Sequence, residues 1–156
     1  MLWHEYFIRM AYLAASKSKD PSTKVGCVIV RDNIVLSMGY NGFVRGVRED
    51  LPSRWERPTK YSWVEHAERN ACYNAARNGI NLYGSTAYLN WEPLPCIECV
   101  KALIQVGVKE IIGPNRSFVN RASAGSKNVA DYKLDICQEM MSEAGIITKR
   151  YDIELA

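Results

Sequence analysis

Two short motifs, far apart in the sequence, constrain this chain most, because their shared chemistry requires them to meet in the fold. The first is His66-Ala67-Glu68 and the second is Pro95-Cys96-Ile97-Glu98-Cys99. Two thiolates and one imidazole give a zinc ion three protein ligands, and a catalytic zinc keeps its fourth position open for water. Each motif alone is weak evidence, since CxxC also occurs in redox and structural sites. Together, and in this order, they indicate a zinc site that activates water.

The carboxylate of Glu68 is the predicted proton carrier of this site. It lies two residues from His66 and is not expected to bind the metal, so it is free to move protons. The alternative is an ordinary surface carboxylate stabilised by the positive end of a helix. On a regular helix, two residues are about 200° apart around the axis. The hypothesis therefore requires the metal to lie beyond the end of the helix.

The two motif cysteines have a setting that favours the thiolate form. Cys96 and Cys99 are three residues apart at the start of a predicted helix, so their sulfur atoms lie near one face. Pro95 suits a helix entry, because the N–H that proline lacks is unpaired there in any residue. A helix N-terminus also lowers the pKa of a thiol.

The other cysteines are predicted to be small buried hydrophobic residues. They are Cys27, Cys72 and Cys137. Cys72 follows His66 by six residues, which turns it about 240° around a helix axis and away from the proposed metal. An odd total of five cysteines, with two in CxxC, disfavours a disulfide framework. We therefore expect a reducing compartment, the cytoplasm, or the host cytoplasm if the protein is viral.

Length and composition predict one domain over residues 1–156. The chain is 47% hydrophobic, enough for one well-buried core. No stretch approaches the roughly 20 apolar residues of a membrane span, and the first residues do not have the pattern of a secretory signal. The net charge of +3 suits a small anionic ligand as well as a nucleic acid, and it selects neither.

The first part of the chain predicts a helix followed by a β-hairpin. Apolar residues recur at helical spacing over residues 4–18, and Asp20-Pro21 ends that pattern. Strands are predicted at 25–30 and 34–38, with a turn at Asp32-Asn33. The first strand is almost entirely apolar, so we expect both of its faces to be covered.

The rest of the chain alternates helices with strands. The predicted helices cover residues 65–78, 96–106 and 128–144. The predicted strands cover residues 86–89, 108–112 and 146–151. Segments 43–62 and 113–127 have no steady period, which is typical of functional or disordered loops. This order predicts an α/β sandwich with a mixed sheet.

The HAE and PCxxC motifs resemble the zinc-dependent cytidine deaminase superfamily. Three segments are similar to its deoxycytidylate (dCMP) deaminase branch: SKDPSTKVG at 18–26, GYNGF at 39–43 and KYSWVEHAE at 60–68. The similarity runs from about residue 5 to residue 112. It implies a three-layer α/β/α sandwich with a five-stranded mixed sheet and one Zn²⁺ per subunit. It also implies hydrolysis of dCMP to dUMP and ammonia in pyrimidine deoxynucleotide metabolism.

The resemblance also implies roles for individual residues. His66, Cys96 and Cys99 match the zinc ligands, and Glu68 matches the proton shuttle. The Ala67 backbone N–H is then expected to face the pyrimidine O2.

Three further substrate contacts follow from the resemblance. Asn41 matches the family asparagine that contacts the deoxyribose; the alternative is a turn residue with positive φ. Phe118 is the nearest match to a family tyrosine after the fourth strand, and without a hydroxyl it would stack on the base but form no hydrogen bond. Lys24 is a candidate phosphate contact, and the alternative is a solvated lysine at a strand end.

The same branch implies regulation and assembly. Its members are often hexamers that dCTP activates and dTTP inhibits. A triphosphate needs several donors, and the basic loop after Gly42 offers them, with Arg45 and Arg48 as the first candidates and Arg54, Arg57 and Lys60 behind them. A solvated basic loop is the alternative. The expected partners are thus a deoxynucleotide substrate, a dCTP or dTTP effector and further copies of the chain, without a membrane or a nucleic acid.

Three other functions remain open at this point. A pocket widened by Phe118 or by the loop at 113–127 would admit a 5-substituted dCMP. A nucleic-acid deaminase of the tRNA adenosine type shares both motifs, and Trp55, Tyr61 and Trp63 among arginines would then stack on bases. A regulatory module that only binds nucleotides would have no need of Glu68.

Overall fold

The computed structural model describes residues 1–115 and 133–154 of the 156-residue chain. In this part of the chain the helices are α1 (Trp3–Ala15), α2 (Ala67–Arg77), α3 (Ile97–Gln105) and α4 (Leu134–Glu143). The strands are β1 (Gly26–Arg31), β2 (Ile34–Tyr40), β3 (Gly42–Phe43), β4 (Val64–Glu65), β5 (Thr86–Leu89), β6 (Glu110–Pro114) and β7 (Ile147–Tyr151). Two short 3₁₀ helices, Pro52–Arg54 and Thr59–Ser62, precede β4.

Five of these strands form one mixed sheet in the order β2-β1-β5-β6-β7. Strand β1 pairs antiparallel with β2 and β5, whereas the β5–β6 and β6–β7 pairs are parallel. The predicted mixed five-stranded sheet is confirmed. Strands β3 and β4 pair separately, which brings Gly42 opposite Glu65, immediately before α2.

Helices cover both faces of the sheet, so the three-layer α/β/α arrangement is confirmed. Helix α1 packs on one face against a cluster that includes Val28 and Val30 of β1. On the other face, residues of α2, α3 and α4 form a larger core with Cys27 and Ile29. Successive side chains of a strand point to opposite faces, so β1 is buried on both sides, as its apolar sequence predicts.

The predicted hairpin is confirmed, with its turn at Asp32 and Asn33. Both residues have positive φ, +53° and +59°. A two-residue turn with positive φ at both positions matches the right-handed twist of the paired strands.

Several helix boundaries differ from the predicted ones. Helix α1 ends at Ala15 rather than at residue 18. Helix α2 starts at Ala67 rather than at 65, because Val64 and Glu65 pair with β3 as strand β4. Helix α3 starts at Ile97, since Cys96 is an extended N-cap residue. The predicted strand at 108–112 lies at Glu110–Pro114.

The structure describes only part of the last predicted helix, at 128–144. Helix α4 spans Leu134–Glu143, and residues 128–132 of the predicted helix lie outside the described residues. Residues 116–127 of the predicted loop at 113–127 also lie outside the described residues. At the start of that predicted loop, Gly113 and Pro114 belong to β6. None of the helices in the described ranges is long and apolar enough to cross a membrane.

Close packing of two backbones sets the short distance between α2 and the sheet. Gly39 of β2 lies directly under this helix, and a Cβ atom there would be 2.4 Å from the Ala71 nitrogen and 2.5 Å from the Ala67 oxygen. No side chain fits between these backbones, so only glycine permits this approach. The N-terminus of α2 is thereby held close to the end of β2.

Candidate active site

Two helix N-termini meet at the predicted zinc site. His66 is the N-cap residue of α2 and Cys96 is that of α3, and both have extended backbones. Cys99 lies in the first turn of α3. The His66 Nδ1 atom is 3.3 Å from the Cys96 Sγ and 3.5 Å from the Cys99 Sγ. The structure thus brings the two motifs together.

The donor geometry fits zinc. With Zn–S bonds of about 2.3 Å and Zn–N bonds of about 2.0 Å, a tetrahedral site separates nitrogen from sulfur by about 3.5 Å. The donor atoms of His66, Cys96 and Cys99 all lie within 4.8 Å of one another, and within the described residues this group has three members. Three protein donors are the pattern of a catalytic site with an open position rather than of a closed structural site.

Hydrogen bonds among the three donor side chains favour the thiolate form of one cysteine. Hydrogen bonds from the Cys99 thiol and the His66 ring lower the pKa of Cys96, although burial opposes this. The bond to Cys96, together with burial, raises the pKa of Cys99. The pKa of His66 is raised, first by its hydrogen bond to Cys96. Zinc binds the thiolate form, so one of the two sulfurs is prepared for it.

The Glu68 carboxyl group lies in the first turn of α2, beside the donors. Its side chain is buried, with 7% exposed, and its Oε2 is 3.6 Å from the Cys99 Sγ. Burial raises the pKa of Glu68. The geometric condition stated for His66 and Glu68 is met, because His66 precedes the helix and its extended backbone removes the 200° separation.

An ion pair that the sequence analysis did not identify supports the histidine. The Glu65 Oε1 accepts hydrogen bonds from the His66 backbone N–H at 2.9 Å and from the Arg69 side chain. Both side chains of this pair are less than one fifth exposed. The guanidinium of Arg69 also interacts electrostatically with Cys99 and Cys96. An acid and a base four residues apart are a recognisable signal for such a pair.

The donors line a cavity of about 150 Å³. One water molecule needs roughly 10–15 Å³ by a comparable measure, so the cavity has room for a small organic ring. Its apolar wall residues include Val25, Val64, Trp91 and Leu94, and its polar lining residues include Asp20, Asn41, Arg57 and Lys60. An apolar cavity with a few convergent polar groups is the usual form of a small-molecule site.

Asn41 lines this cavity, but backbone groups occupy much of its carboxamide. The Oδ1 accepts a hydrogen bond from the Val25 N–H at 2.8 Å, and the Nδ2 donates to the Thr23 carbonyl at 2.8 Å. The φ angle of Asn41 is not positive, so the alternative of a left-handed turn residue is wrong. A contact to a sugar, as the resemblance implies, has to use the remaining hydrogen-bonding capacity of this amide.

The other predicted substrate residues have different locations. Ala67 is the first residue of α2 and lines the cavity, where the N–H of a first helical residue has no partner within the helix. Lys24 is exposed and does not line the cavity, so the structure does not bring it to the site. Phe118 lies outside the described residues.

The first effector candidates, Gly42, Arg45 and Arg48, lie apart from the cavity lining, whereas Arg57 and Lys60 of the same basic segment line the cavity. Gly42 pairs within the β3–β4 ribbon. Arg45 donates to the Asn74 side chain. Arg48 forms two hydrogen bonds of 3.0 Å with the carboxylate of Asp50. Both arginines are exposed.

A buried ion pair at the cavity was also missed. The Lys60 Nζ lies 3.1 Å and 2.9 Å from the two carboxylate oxygens of Asp20, and the exposed fractions are 4% and 3%. The Asp20 Oδ1 also accepts the N–H groups of Ser22 and Thr23. Burial favours the neutral acid, but these hydrogen bonds outweigh it and the pKa of Asp20 lies below its ordinary value. The two residues are 40 positions apart, so local sequence carries no signal for their pairing.

Residues 1–113 match the family model described as the cytidine and deoxycytidylate deaminase zinc-binding region. The chain belongs to this family. The predicted zinc cofactor is confirmed for this deaminase-family chain, because its His/Cys/Cys donors lie in the matched region and fit the ion.

Relatives of this deaminase-family chain differ in how much of it they cover. The deoxycytidylate deaminase of Mus musculus is 42% identical over 117 residues, covering 70% of this chain and 63% of the relative. The chain therefore spans less than two thirds of that protein. An uncharacterised deaminase of Aliivibrio fischeri is 35% identical over 146 residues, covering 92% of this chain and 90% of the relative.

A solved structure gives an independent view of the fold. The dCMP deaminase of the cyanophage S-TIM5, in complex with dCMP and dUMP, superposes with a TM-score of 0.71. The match covers 94% of this chain and 95% of the other, at 23% identity. At that identity the likeness concerns the fold, and it agrees with the three-layer sandwich.

Proposed function

We propose that this protein is a zinc-dependent dCMP deaminase that acts as a single domain and converts dCMP to dUMP and ammonia. The observation that carries the proposal is the meeting of His66, Cys96 and Cys99 with the buried Glu68 at one cavity. The identity of 42% to a deoxycytidylate deaminase supports dCMP as the substrate. The cavity, with apolar walls and polar groups on its lining, suits a pyrimidine nucleotide.

The proposed chemistry divides between the metal and the chain. When bound, zinc lowers the pKa of a water molecule to about 7 and so supplies a nucleophile at neutral pH. Glu68 takes one proton from the attacking water and delivers it to ring N3. It then takes the remaining hydroxyl proton and delivers it to the leaving amine. Water oxygen replaces nitrogen at C4, and the products are dUMP and ammonia.

The other lining residues bind and orient the substrate in this proposal. The Ala67 N–H donates to the pyrimidine O2, and the unused capacity of Asn41 meets the deoxyribose. The side chains of Val25, Val64 and Trp91 exclude water from the ring. Phe118, for which the resemblance implies stacking on the base, lies outside the described residues.

Ammonia release from defined substrates tests the proposal. The zinc-loaded protein is incubated with dCMP, CMP, deoxycytidine, 5-methyl-dCMP and a single-stranded oligonucleotide. We expect dCMP to be the best substrate and the oligonucleotide to be inert. Activity on single-stranded DNA or tRNA, with none on dCMP, would overturn the proposal. Preference for 5-methyl-dCMP would instead favour the 5-substituted alternative.

The packing of the aromatic residues argues against a nucleic-acid substrate. Phe43 stacks on Trp55 at 4.6 Å and on Trp63 at 6.2 Å between ring centroids. The Arg54 guanidinium lies 3.9 Å above the Trp63 ring. These ring faces are therefore used within the protein, whereas a binding platform presents open faces to successive bases.

Regulation, assembly and location complete the proposal. A dCTP or dTTP effector would bind near Arg45 and Arg48, outside the cavity, and a hexamer is the expected assembly. All five cysteines are free thiols, which supports a reducing, cytoplasmic setting. Mass photometry with and without each nucleotide, beside initial rates, tests the first two points. A monomer whose rate neither nucleotide changes would exclude both.

A further inference from the structure

We propose that Arg57 is the anion subsite that selects a nucleoside monophosphate over the uncharged nucleoside. This inference rests on the proposed function, because it concerns the phosphate group of the same substrate. Arg57 lines the cavity that also contains His66 and Glu68. Its side chain is exposed as well, so it lies where the cavity opens to solvent.

Arg57 differs from the other arginines of segment 43–62, because its side chain has no partner among the described residues. Arg45 binds an asparagine side chain, Arg48 binds an aspartate, and Arg54 covers an indole ring. For Arg57, residues 1–115 and 133–154 provide no hydrogen bond, ion pair or ring contact. Its five N–H donors are thus available to a ligand.

Among the described residues, no carboxylate pairs directly with Arg57. Besides Arg57, the described lining of the cavity contains one lysine, Lys60. Its charge is balanced by the buried carboxylate of Asp20 at 2.9 Å. This pair adds no net charge to the site. An anionic substrate group therefore meets one unpaired cation, that of Arg57.

The chemistry of guanidinium fits one phosphate group. Its planar donors match two phosphate oxygens at once, which a lysine ammonium cannot do. A triphosphate carries more charge and is bound by several donors, whereas the described lining offers one unpaired cation. The ligand class is accordingly a nucleoside monophosphate, and Lys24, outside the cavity, is not needed for the contact.

Kinetics of the zinc-loaded Arg57→Ala variant test this inference. We expect the KM for dCMP to rise about 10- to 100-fold with little change in kcat, since a hydrogen-bonded charge pair is lost. For deoxycytidine, kcat/KM should change less than about two-fold. Arg57→Lys should recover part of the loss for dCMP. Arg77→Ala is the matched control, because it removes the same charge at an exposed position of α2 outside the cavity.

Calorimetric binding of dUMP and deoxyuridine adds a readout that needs no turnover. Arg57→Ala should weaken dUMP binding and leave deoxyuridine binding unchanged. An unchanged KM for dCMP, or an equal loss for nucleotide and nucleoside, would overturn the role of Arg57. A wild-type protein that binds dUMP tightly but never releases ammonia from dCMP would defeat the proposed function and not the anion subsite.

Discussion

The side-chain amides of Asn41 and Asn90 bind the same backbone segment from the two strands that flank β1. Asn41 follows β2, Asn90 follows β5, and β1 lies between these strands in the sheet. Asn41 bonds the carbonyl of Thr23 and the N–H of Val25. The pattern resembles strand pairing, with a carboxamide in place of a neighbouring backbone.

Asn90 completes the arrangement one residue further along. Its Oδ1 accepts the Gly26 N–H at 2.9 Å, and its Nδ2 donates to the Lys24 carbonyl at 3.1 Å. The four successive residues 23–26 are thereby held where β1 begins. Thr23 and Val25 of this segment line the cavity, so the two amides set the position of one wall.

Removal of the Asn90 amide should destabilise the protein. Asn90→Ala leaves a buried N–H and a carbonyl without their partner, and such groups cost about 1–3 kcal/mol. Urea unfolding at pH 7 measures the loss. The KM for dCMP should rise too, because the wall loses its support. Asn78→Ala, an exposed position, should cost clearly less; equal costs would show that the Asn90 bonds do not stabilise the segment.

Glu68→Gln should separate proton transfer from metal binding. The amide keeps the size of the side chain but cannot accept and release protons, and general acid–base catalysis accounts for about 10²–10⁴-fold in rate. Zinc content by emission spectroscopy should stay near one ion per chain while ammonia release from dCMP falls by that factor. Full activity in the variant would remove Glu68 from the mechanism.

Substitution of a metal-binding cysteine should lower the zinc content, in contrast to Glu68→Gln, which should retain the zinc. Cys99→Ala removes one of the three donors, so the zinc content should fall sharply. Cys72→Ala is the matched control, because Cys72 is another buried cysteine of the same core that is not in the donor group. That variant should keep its zinc. A zinc-replete Cys99→Ala protein would mean that the metal is held elsewhere.

The ion pair of Glu65 and Arg69 should tune zinc affinity without contacting the metal. Arg69→Met removes a positive charge that interacts electrostatically with the two thiols, and it removes the hydrogen bond to Glu65. Losses of this kind typically weaken metal binding about 10- to 100-fold. Chelator competition measures the affinity directly. Arg77→Met, in the last turn of the same helix, is the control and should leave the affinity unchanged. Equal zinc affinities of the Arg69→Met and Arg77→Met variants would show that the ion pair of Glu65 and Arg69 does not influence the metal site.

Acid should remove the stability that Asp20 contributes. The pKa of Asp20 lies below its ordinary value, so its contribution is complete above the unfolded pKa of about 3.9 and is lost as pH falls through the folded pKa. The stability difference between wild type and Asp20→Asn should therefore be largest near pH 7. It should shrink progressively below about pH 4 in urea titrations.

Substitution of Lys60, the partner of Asp20, is a control in which the loss of stability should depend on pH in a different way. Lys60→Met leaves a buried carboxylate unpaired, which should cost about 3–5 kcal/mol at pH 7. Part of that cost should disappear in acid, as Asp20 takes up a proton. A constant deficit at every pH would indicate lost packing rather than lost charge pairing.

Much of this fold follows from short stretches of sequence. The apolar run of β1, the Asp32-Asn33 turn and the alternation of helices with strands predict the mixed sheet, because each depends on residues close in the chain. The donors of the metal site follow from two motifs in the same way. The spacing of His66 and Glu68 also predicts that the metal lies beyond the end of the helix, and the extended backbone of His66 at the N-cap of α2 agrees with this condition.

The lining of the cavity beyond those motifs depends on contacts between distant residues. Asp20 pairs with Lys60 across 40 positions, and Asn90 bonds Lys24 across 66. Arg57 lines the cavity, whereas Lys24, the predicted phosphate contact, does not. Residue types at single positions do not encode such choices.

The sequence by itself determined the class of fold and predicted the metal donors and the proton carrier, because these depend on local spacing and periodicity. Only the tertiary structure decided which cation lines the cavity and which amide holds its wall. The reason is physical: the direction of a side chain in segment 43–62 is set by packing, such as the contacts of Phe43 with Trp55 and Trp63, rather than by its neighbours in sequence.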